Sequence, residues 1–83
     1  MSGGSAMALI TEFTQVAADH PTVHGRVSCG WRVFQHDGHT VLQLDTYGSP
    51  ERKIKGKVSQ SIQLDHDGAK ELVKLIKGTF PDL

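Results

Sequence analysis

The sequence predicts an α+β domain: an antiparallel sheet of three to four strands, followed by one C-terminal helix packed on one face. There is room for a short N-terminal helix before the sheet. Three observations carry this reading. Asp37-Gly38 stands between two β-rich runs, residues 57–64 alternate polar and apolar side chains, and an apolar stripe of helical spacing follows Asp65.

Taken in order, the opening MSGGSAM is small and polar. It reads as a flexible tail or expression remnant over residues 1–8, ahead of a single small domain over residues 9–83. Leu9, Ile10, Phe13, Val16 and Ala17 fall at the spacing of one helical face, which places the optional helix at Leu9–Asp19. Pro21 ends it, because the residue before a proline avoids the helical region. Val23–Val27 is expected as a short edge strand.

The Asp37-Gly38 pair suits a type I′ hairpin turn, in which both central residues need positive φ. A two-residue loop fixes the register: His36 opposite His39, Phe34 opposite Val41, Val33 opposite Leu42, and Trp31 opposite Leu44. Side chains alternate between the faces of a sheet. Trp31, Val33, Leu42 and Leu44 therefore share one face, and Arg32, Phe34, Val41, Gln43, Asp45 and Tyr47 the other. Gly48-Ser49-Pro50 breaks the second strand. Lys57–Leu64 alternates again, with Val58, Ile62 and Leu64 on one side and Lys57, Ser59, Ser61 and Gln63 on the other. Asp65 is a good helix N-cap and Asp67 suits the first turn. Ala69, Leu72, Val73, Ile76 and Phe80 make the stripe of a helix expected over Asp67–Lys77, with Gly78 as its left-handed stop and Pro81 beyond. The expected core is Trp31, Val33, Leu42, Leu44, Val58, Ile62 and Leu64 packed on Leu72, Val73 and Ile76.

Nine acids balance nine bases, so the chain is no general polycation and an anionic partner must meet a local patch. Such a patch exists: Arg52, Lys53, Lys55 and Lys57 put four of the nine basic residues into six positions around Gly56. Glycine lets a backbone approach a phosphate closely. The neighbouring sheet face mixes Arg32, Phe34, Tyr47, Lys57 and Ser59 with few acids. Aromatic rings that stack bases, beside bases that track phosphates, suit a flexible anionic strand. The expected nucleic-acid contacts are Arg32, Phe34, Tyr47, Arg52, Lys53, Lys55, Lys57 and Ser59. The partner is single-stranded DNA, with RNA as a variant. A plainer reading stands beside it: a solvated sheet face is polar in any case, and lysines on a loop aid solubility. Alternatively, Phe34, Val41 and Tyr47 are covered by the N-terminal segment or by a second subunit.

Other chemistry finds less support. A single cysteine, Cys29, excludes an internal disulfide framework. His20, His24, Cys29, His36 and His39 lack the paired spacings of a zinc site, and Pro21 interrupts any helix joining His20 to His24. No orienting group accompanies Cys29, and no phosphate-loop or dinucleotide fingerprint is present. The expectation is a non-enzyme without metal or cofactor. With no apolar run of about 18–20 residues and no signal-peptide pattern, a cytoplasmic location is expected. The small core favours a homodimer.

Gly30-Trp31, Leu44-Asp45 followed by Tyr47, Ser49-Pro50, Lys53, Gly56-Lys57, Ile62-Gln63-Leu64 and the helix resemble the positive-cofactor-four family of single-stranded-DNA-binding transcriptional coactivators, above all its small bacterial members. The likeness spans about residues 30–78. It implies a coactivator-like dimer with four antiparallel strands and a helix per subunit, whose sheets and basic loops bind single strands with little sequence preference. The chain departs from the pattern at Thr46, where the family usually has arginine, in a longer Gly56–Ile62 segment, and in its N-terminal strand. The runs LQLDTYGS and GKVSQSIQLD also resemble a group of short uncharacterised bacterial proteins, which implies no chemistry. The competing function is a non-catalytic protein-interaction or accessory module of a phage, plasmid or defence system, with Phe34, Val41 and Tyr47 as contacts.

Overall fold

A computed structural model describes residues 6–47 and 58–83. It has five elements: β1 (Ala6–Ile10), β2 (Cys29–His36), β3 (His39–Tyr47), β4 (Val58–Leu64) and α1 (His66–Thr79). The strands form one mixed sheet in the order β1-β4-β3-β2. Both β2–β3 and β3–β4 are antiparallel, while β1 runs parallel to β4, with Ile10 level with Leu64.

The hairpin follows from its turn chemistry. Asp37 and Gly38 hold φ of 49° and 76°, as a type I′ turn requires. All four expected pairs are present: His36–His39, Phe34–Val41, Val33–Leu42 and Trp31–Leu44. The sheet itself is not purely antiparallel as expected, because β1 joins it in the parallel sense. Two further expectations fail with it. Among the described residues there is no N-terminal helix, and β1 begins inside the segment assigned to a tail. The AMALI run is too short for periodicity to separate strand from helix, and pairing with β4 decides it. Residues 11–28 contain no helix or strand, so Val23–Val27 is not an edge strand.

The helix begins where the sequence places it. The Asp65 carboxylate accepts a hydrogen bond from the Gly68 N–H at 2.9 Å, and Asp67 and Lys77 sit at the poles that favour their charges. It continues past the expected stop. Gly78 is helical, and the Phe80 N–H still donates to the Ile76 carbonyl at 2.8 Å. Pro81, which has no N–H, follows.

Packing departs most from expectation. The helix does not lie across the sheet, and its main contact there is with β4. Of the expected core only Leu64 is buried. Leu42, Leu44, Val58, Ile62 and Leu72 are half-buried, whereas Trp31 is 71% exposed and Val33, Val73 and Ile76 are exposed as well. Burial concentrates on the opposite face, at Val41, Gln43, Asp45 and Ser61. The cause is the junction: only Asp65 separates β4 from α1, so the helix leaves the end of the strand with no linker to carry it back. Gly68 fixes the first turn against β1, since a Cβ there would come within 2.8 Å of the Ile10 carbonyl oxygen.

Replacing Asp65 by alanine removes the cap at this junction and is expected to lower stability by about 1 kcal/mol in urea unfolding, with loss of helical circular dichroism. Stability equal to the parent's would show that the cap contributes nothing.

Candidate nucleic-acid interface

The antiparallel registers line up three rows of side chains on the more buried face. Gly30, Arg32 and Phe34 of β2 lie opposite Asp45, Gln43 and Val41 of β3, and Asp45 and Gln43 lie opposite Ser61 and Gln63 of β4. A β-bulge between Thr46 and Tyr47 shifts the β3–β4 register at the end of this array. The Tyr47 ring lies over Gly30, at a position where any Cβ would collide with its hydroxyl. This is a close approach that only glycine permits.

At the centre stands Asp45, with its side chain 1% exposed. Its Oδ1 accepts from the Ser61 hydroxyl at 2.6 Å and from the Gln43 amide at 2.9 Å. Its Oδ2 accepts from Arg32 Nη2 at 3.1 Å. Gln63 in turn donates to the Gln43 carbonyl oxygen at 2.9 Å. Hydrogen bonds from Ser61 and Gln43, then the charge of Arg32, hold the Asp45 carboxyl below its ordinary range, against the opposing effect of burial. No buried side-chain N or O among the described residues lacks a partner.

The network presents Arg32 in a defined way. Asp45 engages one guanidinium nitrogen, yet the side chain remains 61% exposed. Among the described residues, Asp45 is the one side-chain hydrogen-bond partner of this five-donor fork. Phe34, half-buried, is two residues further along the same face of β2, and Tyr47, also half-buried, lies at the opposite end of the array. Arg32, Phe34 and Tyr47 therefore share one face, as the hairpin register predicts. Ser59 sits in the bulge, where β4 offers it no Cα partner on β3. Arg52, Lys53, Lys55 and Lys57 lie outside the described residues.

The sequence groups Gln43, Asp45, Ser61 and Gln63 on this face, which was expected either to meet nucleic acid, to be plainly solvated, or to be covered at Phe34, Val41 and Tyr47. None of these expectations has the four residues satisfying one another. The available signal was a lone acid with an arginine, an amide and a hydroxyl on facing strands. The register of β3 against β4, which brings Ser61 to Asp45, relates segments too far apart in sequence for a two-residue loop to reveal it. His36, His39 and His66 border an open concavity of about 710 Å³ between the hairpin tip and the start of α1. Among the described residues no three His, Cys, Asp or Glu side chains are placed to hold a metal ion. Nor is any described helix long and apolar enough to cross a membrane. No protein-family model, curated protein or solved structure matches the chain.

The depressed Asp45 pKa fixes a sign. A carboxyl whose folded pKa lies below its unfolded value adds stability above the unfolded value, here 3.8, and loses it as pH falls toward the folded pKa. The parent is expected to lose stability on acidification below about pH 5 more steeply than Asp45→Asn, which has no carboxylate to protonate. Parallel pH profiles for the two proteins in chemical denaturation would contradict this.

Proposed function

We propose that the protein binds single-stranded nucleic acid, DNA foremost and with little sequence preference, as a non-catalytic module of the coactivator-like kind. The observation that carries this reading is the exposed Arg32 guanidinium, anchored by a buried carboxylate on the face that also bears Phe34 and Tyr47. In such an arrangement the arginine meets a phosphate or a base edge, and the two rings offer stacking platforms to unpaired bases. The connection from β3 to β4 leaves the Tyr47 end of this face, and its Arg52, Lys53, Lys55 and Lys57 supply the phosphate contacts. Ser59 adds a hydroxyl beside the bulge. The protein works in the cytoplasm as a homodimer and needs no cofactor.

A second reading has its own observation. Trp31 and Val33 expose apolar area on the other face, as a protein-interaction or accessory module of a phage, plasmid or defence system would require.

Fluorescence anisotropy with labelled single and double strands over a salt series separates the two readings. Affinity for single strands falls by about 0.7 log units per phosphate contact for each log unit of salt. Replacing Lys53, Lys55 and Lys57 together by alanine is expected to weaken binding to all sequences and to flatten that slope. Tyr47→Ala and Phe34→Ala are expected to cost about 1–3 kcal/mol each with the slope unchanged, because stacking releases no counterions. Full binding by the triple-lysine variant at low salt would remove the loop from the site, and salt-tolerant capture of a protein would favour the second reading.

A further inference from the structure

The sheet ends on an edge that offers its backbone to another strand. In the order β1-β4-β3-β2, no described strand pairs with the outer side of β2. The hairpin register says which groups lie there. Residues flanking a two-residue turn exchange both backbone bonds, and bonding alternates from that pair onward. His36, Phe34, Arg32 and Gly30 therefore bond to β3, while Gln35, Val33, Trp31 and Cys29 turn their N–H and C=O groups outward. β2 is 8 residues long and lacks the usual guards of an edge: it has no lysine, no proline and no register shift. The opposite edge, β1, has only 5 residues.

An edge accepts any extended strand through its backbone, so side chains decide the occupant. β2 answers itself. A two-fold axis that sets two copies of β2 antiparallel stands normal to the sheet and keeps each face on its own side. It must therefore pass through a residue, not between residues. An axis at Arg32 or at Val33 pairs residues 29–35 or 30–36, the longest overlaps that β2 allows. The Arg32 axis sets two guanidiniums directly opposite each other, which is destabilising. The Val33 axis brings no like charges together. It sets Val33 against itself, Trp31 against Gln35, and Arg32 against Phe34, a cation–π pairing made twice.

We infer that two copies of the chain join edge to edge through β2, antiparallel about Val33, so that their two sheets become one. About six backbone hydrogen bonds hold the pair, made by Trp31, Val33 and Gln35 of each chain. The contact consumes the β2 edge, so it closes at two copies. Arg32 and Phe34 of both chains then line one continuous face. The pairing supplies the proposed homodimer with its interface, and it stands whether or not nucleic acid binds.

Sedimentation and amide exchange test it. The parent is expected as a dimer at tens of micromolar. Because Val33 faces itself, Val33→Lys and Val33→Asp are each expected to be monomeric, and an equimolar mixture of the two is expected to form dimers. Far-UV circular dichroism equal to the parent's identifies the variants as folded. Amide exchange of the parent needs no variant. The Trp31, Val33 and Gln35 N–H groups are expected to exchange about tenfold faster or more on dilution to monomer, while those of Arg32 and Phe34, bonded to β3, change less. A monomeric parent, a folded but dimeric Val33→Lys, a mixture that stays monomeric, or exchange insensitive to dilution would each overturn the pairing. A monomeric parent with those three amides protected would overturn it too, since another segment of the same chain would then cover the edge.

Discussion

A carboxylate taken out of water needs compensation for its lost solvation, and Asp45 receives it from three strands at once. Arg32 comes from β2, Gln43 from its own strand β3, and Ser61 from β4. Those bonds exist in one register only. A slip of one residue would turn Asp45 to the other face and put Leu44 or Thr46 in its place, leaving amide and hydroxyl groups without their acceptor. The array thus specifies the pairing of β3 with β4. It also sets the neighbouring features. The bulge at Thr46/Tyr47 lies just beyond it, and Gly30, level with Asp45, leaves room for the Tyr47 ring.

What the sequence made legible is what local chemistry controls. Asp37-Gly38 determines a turn whose two positive φ angles admit one hairpin register, and every pair inferred from it is present. Asp65 and the spacing of Ala69, Leu72, Val73 and Ile76 locate the helix and its apolar side. The rest depended on relations between distant segments. Alternation says which residues share a face but not which face is covered. The polar set around Asp45 looks solvated until its members are placed together. The apolar set of Trp31 and Val33 looks like core until the helix is seen to leave β4 without turning back. Ala6–Ile10 becomes a strand because β4 offers it an edge, a fact beyond the reach of five residues. Of the candidate site, Arg32, Phe34 and Tyr47 were correctly grouped, whereas the agent that holds Arg32 was not recognised.

The two faces of the sheet divide the chemistry. One carries hydrogen-bonding groups, a charged pair and two half-buried rings. The other, on β2 and β3, carries no charge and leaves a tryptophan in solvent. A ligand on the first and a protein surface on the second would not compete, because the thickness of the sheet separates them. Burying the second face in an assembly would stiffen the strands that hold Arg32 without touching it. The electrostatic role of Asp45 is then one of placement. Its negative charge offsets part of Arg32's positive charge, and in exchange the guanidinium is held at a defined point between Phe34 and Tyr47.

The central claim is that Asp45 stays ionised in the folded sheet because Ser61, Gln43 and Arg32 hold it so. A carbon-detected NMR titration of the Asp45 carboxyl tests this most directly. The midpoint is expected below 3.8, and to rise in both Ser61→Ala and Arg32→Ala. A midpoint at or above 3.8 in the folded protein would show that burial outweighs the three donors, and the account of the sheet would fail with it.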